Sequence, residues 1–524
     1  MTADTAAITL DQSVRLATLD EDLDRRIAGL RADHDAGRGA VAASREVVEA
    51  ALDDGQAHYG INTGFGALAR TRIEADKLAR LQYNLIVSHA VGVGPTIPRA
   101  VCRLMLRLKI HALGQGYSGV SEQTFGRLLD FAERDLVPAA PTRGSLGASG
   151  DLAPLAHLFL PLLGKGEFWN AEGTATRPAD EVLAEHGLEP IELGPKDGLA
   201  LINGTQMMAA YACVVLRRAL TLQRAADVVL AMSLEALQGS ATPFDARIHA
   251  VRPHPGQEAV AANVRALLQG SEILESHRGC DKVQDPYSLR CTPQVHGASR
   301  DALAHAVAVV EREVNSVTDN PLVFPDDGPD AGFGRAGSVV SGGNFHGQPL
   351  ALVLDFAAIA IAELASISER RTYLLLDGHD DLPPLLVRAS GVNSGFMMPQ
   401  YTAAALVSEN KSLCHPASVD SIPTSRGQED HVSMGSIGAL QAAQVVENTE
   451  RVLAMALLCA AQGLDYRRPL RAGRGVDAAH DLTRARIAHR EEDADFQADL
   501  AAALDLVTSG RLVGAAEGAA GPLR

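Results

Sequence analysis

The sequence predicts a mainly α-helical protein built on a bundle of long helices, with its unusual chemistry held in loops. Three observations lead there. Apolar residues recur at helical steps, long Ala- and Leu-rich runs carry no Gly or Pro, and Gly- or Pro-rich segments separate those runs. Strand-like alternation is scarce by comparison.

Leu303, Val307, Val310 and Val314 follow one another at steps of four, three and four, which places them on one helix face. The run from Gln206 to Leu237 lacks Gly and Pro and meets a stop at Gly239, so one long helix is expected there. Pro349 stands where a helix commonly starts, and a second long helix is expected over Leu350 to Arg371. A third is expected from about Ser436 to Gln462. Their many alanines let helix axes approach closely, as a bundle requires. Loops are expected over Tyr59–Gly66, Pro138–Pro154, Lys282–Gly297, Pro325–Gly347 and Pro423–Gly435. The chain is divided provisionally into an N-terminal region 1–200, a central bundle 201–470 and peripheral C-terminal helices over 471–524.

With 46% hydrophobic residues among 524, the chain can bury a large core, which excludes disorder. A formal charge of −17 argues against nucleic acid or an anionic membrane as partner. Arg99, Arg103 and Arg107 lie at helical spacing and are expected to form a solvated face. Six scattered cysteines, at 102, 213, 280, 291, 414 and 459, include no C-x-x-C pair and are expected to be buried, reduced thiols of a cytoplasmic protein. Met1 to Asp11 shows no secretory signal pattern. The apolar stretch Leu350–Ile361 is interrupted by Asp355 and followed by Glu363, so a soluble chain with no membrane span is expected. Gly378-His379-Asp380-Asp381 and Asp430-His431 lack the spacing of a recognised metal site, and no metal is expected.

The segment G-S-L-G-A-S-G-D-L, Gly144 to Leu152, is a turn of small residues in which a backbone amide can approach a neighbouring carbonyl. Attack of the Gly150 nitrogen on the Ala148 carbonyl, with loss of water, would close a ring. Loss of the Ser149 hydroxyl as a second water would leave an exposed methylidene, an electrophile that none of the twenty side chains supplies. With D-L-A-P-L-A-H following at Asp151 to His157, the segment resembles the histidine/phenylalanine ammonia-lyase family. Members of that family make a 4-methylidene-imidazol-5-one group (MIO) from Ala-Ser-Gly, and no dissociable cofactor is implied. The resemblance runs from about Leu10 to about Pro469. It implies an aspartase/fumarase-like long-helix fold with a loop-rich N-terminal active-site region, and a homotetramer whose active sites are shared between subunits.

Further motifs follow in the family's order. Y-G-I-N-T-G-F-G begins at Tyr59, which the resemblance makes the catalytic base. An ordinary Tyr has a pKa near 10, so that role needs a favourable electrostatic setting. L-I-N-G-T-Q, Leu201 to Gln206, supplies Asn203, implied to hydrogen-bond the cofactor's carbonyl oxygen. V-Q-D-P-Y-S-L-R-C-T-P-Q, Val283 to Gln294, supplies Gln284, Tyr287 and Arg290. Arg290 is implied to clamp the substrate carboxylate, since a guanidinium fork matches two carboxylate oxygens. G-N-F-H-G, Gly343 to Gly347, supplies Phe345, implied to lie near the substrate.

Two places bear on which amino acid is used. Ser88-His89 stands where tyrosine-type members tend to carry His-Leu and phenylalanine-type members Phe-Leu. A His there can hydrogen-bond an imidazole nitrogen. Glu429, in Q-E-D-H-V-S-M-G, stands where those relatives usually have Gln, and its carboxylate can accept an imidazole N–H. The resemblance therefore implies L-histidine as substrate and trans-urocanate and ammonia as products. The rivals are a tyrosine or phenylalanine ammonia-lyase and a 2,3-aminomutase. Two departures from the pattern stand out: Ser425-Arg426-Gly427 replaces the more usual Ser-Ala-Asn, and Asp197 replaces a common Glu.

Overall fold

The computed structural model describes residues 13–54, 56–58, 60–64, 73–325, 338–378 and 381–524. Helices dominate it. Those that position the site are α1 (Leu78–His89), α2 (Arg99–Leu113), α3 (Leu152–Phe159), α4 (Asp197–Ile202), α5 (Gln206–Ala236), α6 (Tyr287–Arg290), α7 (Thr292–Val314), α8 (Gln348–Leu376) and α9 (Gly435–Asp465). Three helices follow near the end: Arg474–Arg484, Phe496–Thr508 and Arg511–Ala520. Among the described residues, the named strands form only short two-stranded antiparallel sheets, one of which joins Val93–Thr96 to Pro141–Arg143.

The chain forms two compact units, neither of them one run of sequence. The first comprises 1–214, 307–354 and 417–440, and the second 215–306, 355–416 and 441–524. In the first, α2 is buried along nearly its whole length, with Cys102, Met105 and Ile110 fully enclosed. In the second, the later parts of α5 and α9 supply an alanine-rich core that includes Ala225, Ala226, Ala460 and Ala461.

The long helices occur where the sequence predicts them, with α8 and α9 running a few residues further at each end. The segment 282–297 is less of a loop than expected. It holds α6, and α7 already begins at Thr292, because Pro293 falls in a first turn where a missing N–H costs little. The arginine face of α2 is only partly solvated. Arg99 and Arg103 both pair with Asp135, while Arg107 is buried and pairs with Asp24, so the three guanidiniums bind the helix to its neighbours. The thiols also divide: Cys102, Cys213 and Cys459 are buried, Cys291 and Cys414 half-buried, and Cys280 exposed. Helix α8 is long and apolar enough to cross a membrane by length and composition, yet 67% of its most apolar window is buried inside the fold, as in a core helix. Asp197 serves local structure: its carboxylate accepts from the Ser121 and Gly194 backbone N–H groups and from the Ser121 and Thr124 hydroxyls.

Candidate active site

The turn at Gly147–Gly150 is held from several directions. Gly150 N–H donates back to Gly147 O at 3.1 Å, and Ser145 Oγ donates to Gly150 O at 3.1 Å. Ser149 adopts φ +50° and Gly150 φ +85°, left-handed backbone that only the second accepts without strain. The segment then pairs with the start of α5: Gly204 N–H donates to Ser149 O at 3.1 Å, and Asp151 N–H donates to Gly204 O at 2.7 Å. A Cβ on Gly150 would sit 2.1 Å from Gly204 O, so glycine is required by contact as well as by conformation. A backbone this compact fits the ring closure that the Ala148-Ser149-Gly150 triplet would undergo.

Beneath the turn lies a buried polar floor. Asp151 Oδ2 accepts the backbone N–H groups of Met207 (2.9 Å) and Met208 (3.0 Å) and so caps α5. Burial pushes the Asp151 carboxyl up to about 7. Lys109 Nζ donates to Asn203 O, and burial lowers this ammonium to about 7 against the opposing pull of Asp319. Lys196 and Asp319 form a second, wholly buried pair at 2.7 Å. Asn203, at the C-terminal end of α4, donates through Nδ2 to Asn320 O at 2.7 Å, and its buried Oδ1 has no protein partner. An unpartnered amide oxygen beside the turn shows that this floor is not closed on itself. A hydrogen-bond donor, such as a substrate N–H, fits at that oxygen, while the second hydrogen of Nδ2 is the one that can donate to a carbonyl oxygen.

A cavity of about 200 Å³ opens above Ala148, with Ser88, His89, Ser145, Leu146 and Leu152 in its wall. His89 is the last residue of α1, and its Nδ1 lies 3.1 Å from Ser88 Oγ. Burial lowers the His89 pKa, while a hydrogen bond from the ring to the Leu85 backbone carbonyl and the negative charge of Glu429 act the other way. Glu429 belongs to the same unit as His89 and lies near enough for its charge to act on the ring. It sits at the base of a tight hairpin, where Thr424 Oγ1 donates to its Oε2 at 2.6 Å. Phe345 is half-buried in the turn just before α8.

Gln284, Tyr287 and Arg290 belong to the second unit. Gln284 and Arg290 line a cavity of about 530 Å³ with Ser240, His277 and Cys280. The Arg290 guanidinium lies over the Tyr287 ring, 4.5 Å from its centroid, and its Nε donates to Asp285 O at 3.0 Å. Tyr287 is 70% exposed. Tyr59 lies outside the described residues.

Three contributors escaped sequence reasoning: Lys109, Asp151 and Thr424. Lys109 left a usable signal, a lone Lys at helical spacing from Met105 and Leu113 on a buried face. Nothing local to Thr424 points to Glu429 as its partner.

A helical scaffold that presents this small-residue turn over a buried ionic floor has well-characterised parallels. The family model for aromatic amino acid lyases matches residues 23–485, and the chain belongs to that family. It is 55% identical over 491 residues to the histidine ammonia-lyase of Sorangium cellulosum, covering 93% of this chain and 94% of that one. It is 54% identical over 485 residues to the histidine ammonia-lyase of Anaeromyxobacter sp. strain K, with coverage of 91% and 94%. Among solved structures, it superposes on histidine ammonia-lyase from Trypanosoma cruzi with a TM-score of 0.84 at 42% identity, covering 97% of this chain and 94% of that one. Tyrosine aminomutase from Streptomyces globisporus gives 0.85 at 33% identity, with coverage of 98% and 99%.

Proposed function

We propose that this chain removes ammonia from L-histidine and releases trans-urocanate, the first step of histidine breakdown. The observation that carries the reading is the presence of His89 in the cavity wall above Ala148, in the unit that also holds Glu429. His89 lines the cavity above Ala148, and the Glu429 charge acts on it. Two polar groups so placed suit an imidazole, with one N–H to donate and one nitrogen to accept, and they penalise a phenyl ring. The names and the high identity of the curated relatives support the same substrate.

An MIO group formed from Ala148-Ser149-Gly150 would supply the electrophile that makes the substrate's amine a better leaving group. The chain's own residues do the rest. Arg290, already fixed by Asp285 and Tyr287, grips the substrate carboxylate in a defined plane. His89 and Glu429 orient the ring. Tyr59 takes the proton from Cβ, the Cα–N bond breaks with its electron pair leaving on nitrogen, and a Cα=Cβ double bond forms. Asn203 stands by to hydrogen-bond the imidazolone oxygen, while Gln284, Tyr287 and Phe345 enclose the substrate. Four copies assemble, each site being completed by neighbouring subunits. The outward-facing Leu352, Phe356 and Ile359 of α8 and the exposed Tyr287 are apolar surface suited to such contacts.

A tyrosine- or phenylalanine-directed lyase or aminomutase is the second reading, because the fold superposes equally well on the tyrosine aminomutase. Ultraviolet absorbance of purified protein with L-histidine, L-tyrosine or L-phenylalanine separates them. Growth of the urocanate band with L-histidine alone is expected. A cinnamate-type product or a β-amino acid from the other two would overturn the substrate assignment.

A further inference from the structure

The hairpin that carries Glu429 is built around one side-chain hydrogen bond. Thr424 and Glu429 pair as antiparallel partners, with Thr424 N–H donating to Glu429 O at 3.0 Å and Glu429 N–H donating to Thr424 O at 3.4 Å. Closing the chain in so few residues forces Ser425, Arg426 and Gly427 to φ values of +49°, +59° and +86°. A Cβ on Gly427 would meet nothing within 4 Å, so glycine serves conformation there and not space. This strained turn has one geometric product. It brings the Thr424 hydroxyl to 2.6 Å from Glu429 Oε2. Among the described residues, that hydroxyl is the one side-chain donor on the carboxylate.

We infer that Thr424 is a positioning residue, which fixes the Glu429 carboxylate so that Oε1 is the oxygen presented to the imidazole of the substrate. The inference rests on the reading of Glu429 given above. A glutamate has three side-chain torsions, and an unheld carboxylate would have to be ordered anew by each substrate molecule. The hydroxyl settles that ordering when the chain folds, and its proton occupies one oxygen. The other oxygen is left as acceptor for the ring N–H. Orientation of this kind acts on both binding and turnover, because a ring held off-line carries Cα and Cβ off-line with it.

The test is a double-mutant cycle on the holoenzyme with L-histidine: Thr424→Val, Thr424→Ser, Glu429→Ala and Thr424→Val/Glu429→Ala. Intact mass verifies in each that two waters have been lost. Thr424→Val is expected to lower kcat/KM about tenfold, the scale of one hydrogen bond to a charged group, with loss in kcat as well as a rise in KM. Thr424→Ser keeps the hydroxyl and should return to within about twofold of the parent. In the Glu429→Ala background the added Thr424→Val change should cost nothing further, since there is no carboxylate left to hold. A second, independent loss in the double variant, or no rescue by Ser, would overturn the inference while leaving the role of Glu429 intact. Full activity of Glu429→Ala alone would overturn both.

Discussion

The Lys109 ammonium donates to the backbone carbonyl of Asn203, 94 residues further along the chain, and both groups are out of solvent. Asn203 leads directly into Gly204, which pairs with Ser149 and Asp151. Lys109 thus braces the segment that pairs with the Ala148–Gly150 turn. Lys109→Met would leave a buried carbonyl without its donor, which costs about 1–3 kcal/mol. The thermal midpoint is expected to fall accordingly, and an unchanged midpoint would show that the carbonyl finds another partner.

Gly150→Ala should abolish ring closure. The added methyl would meet Gly204 O at 2.1 Å, and φ +85° is unfavourable for any residue with a side chain. The expected product is a protein whose intact mass equals that of its sequence, and which is silent with L-histidine. A mass two waters short would show that the segment shifts enough to accept alanine.

The Asp151 carboxyl gives a pH signature. Burial raises it from 3.8 to about 7 against the hydrogen bonds from Met207, Met208 and Ser145, with Glu313 adding to the rise. Its folded pKa exceeds its unfolded one, so the folded state holds the proton more tightly between those values. That contribution to stability is complete below about pH 4 and is lost as pH climbs to about 7, at about 1.4 kcal/mol per pH unit. Relative to Asp151→Asn, the parent's thermal midpoint should fall across that window and run parallel above it. Parallel curves throughout would mean that Asp151 stays ionised in the fold.

The long helices were legible because their limits are written locally. Gly239 stands just past α5, Pro349 opens α8, and alanine-rich faces run between such marks. The Ala148–Gly150 turn was legible through its resemblance to a family motif, whose proposed chemistry needs only three adjacent residues. What escaped is set by distance along the chain. Arg99, Arg103 and Arg107 read as a solvated face because Asp135 and Asp24, their partners, lie outside the helix that carries them. Asp151 read as part of a motif, whereas its carboxylate caps a helix that starts more than fifty residues later. Gln284 and Arg290 were identifiable by motif, but the cavity they share with His277 and Cys280 depends on tertiary placement.

The pairing of Ser149–Asp151 with Gly204 bears on any attempt to transplant this chemistry. A designer who copied only the tripeptide and its flanking glycines into another host would carry over half a device. The missing half is a second strand-like step, itself anchored to the first turn of a 31-residue helix through the Asp151 carboxylate. Grafts should therefore be scored on whether they bring both segments and the helix start together. The minimal portable unit is a junction of two chain segments, not a loop.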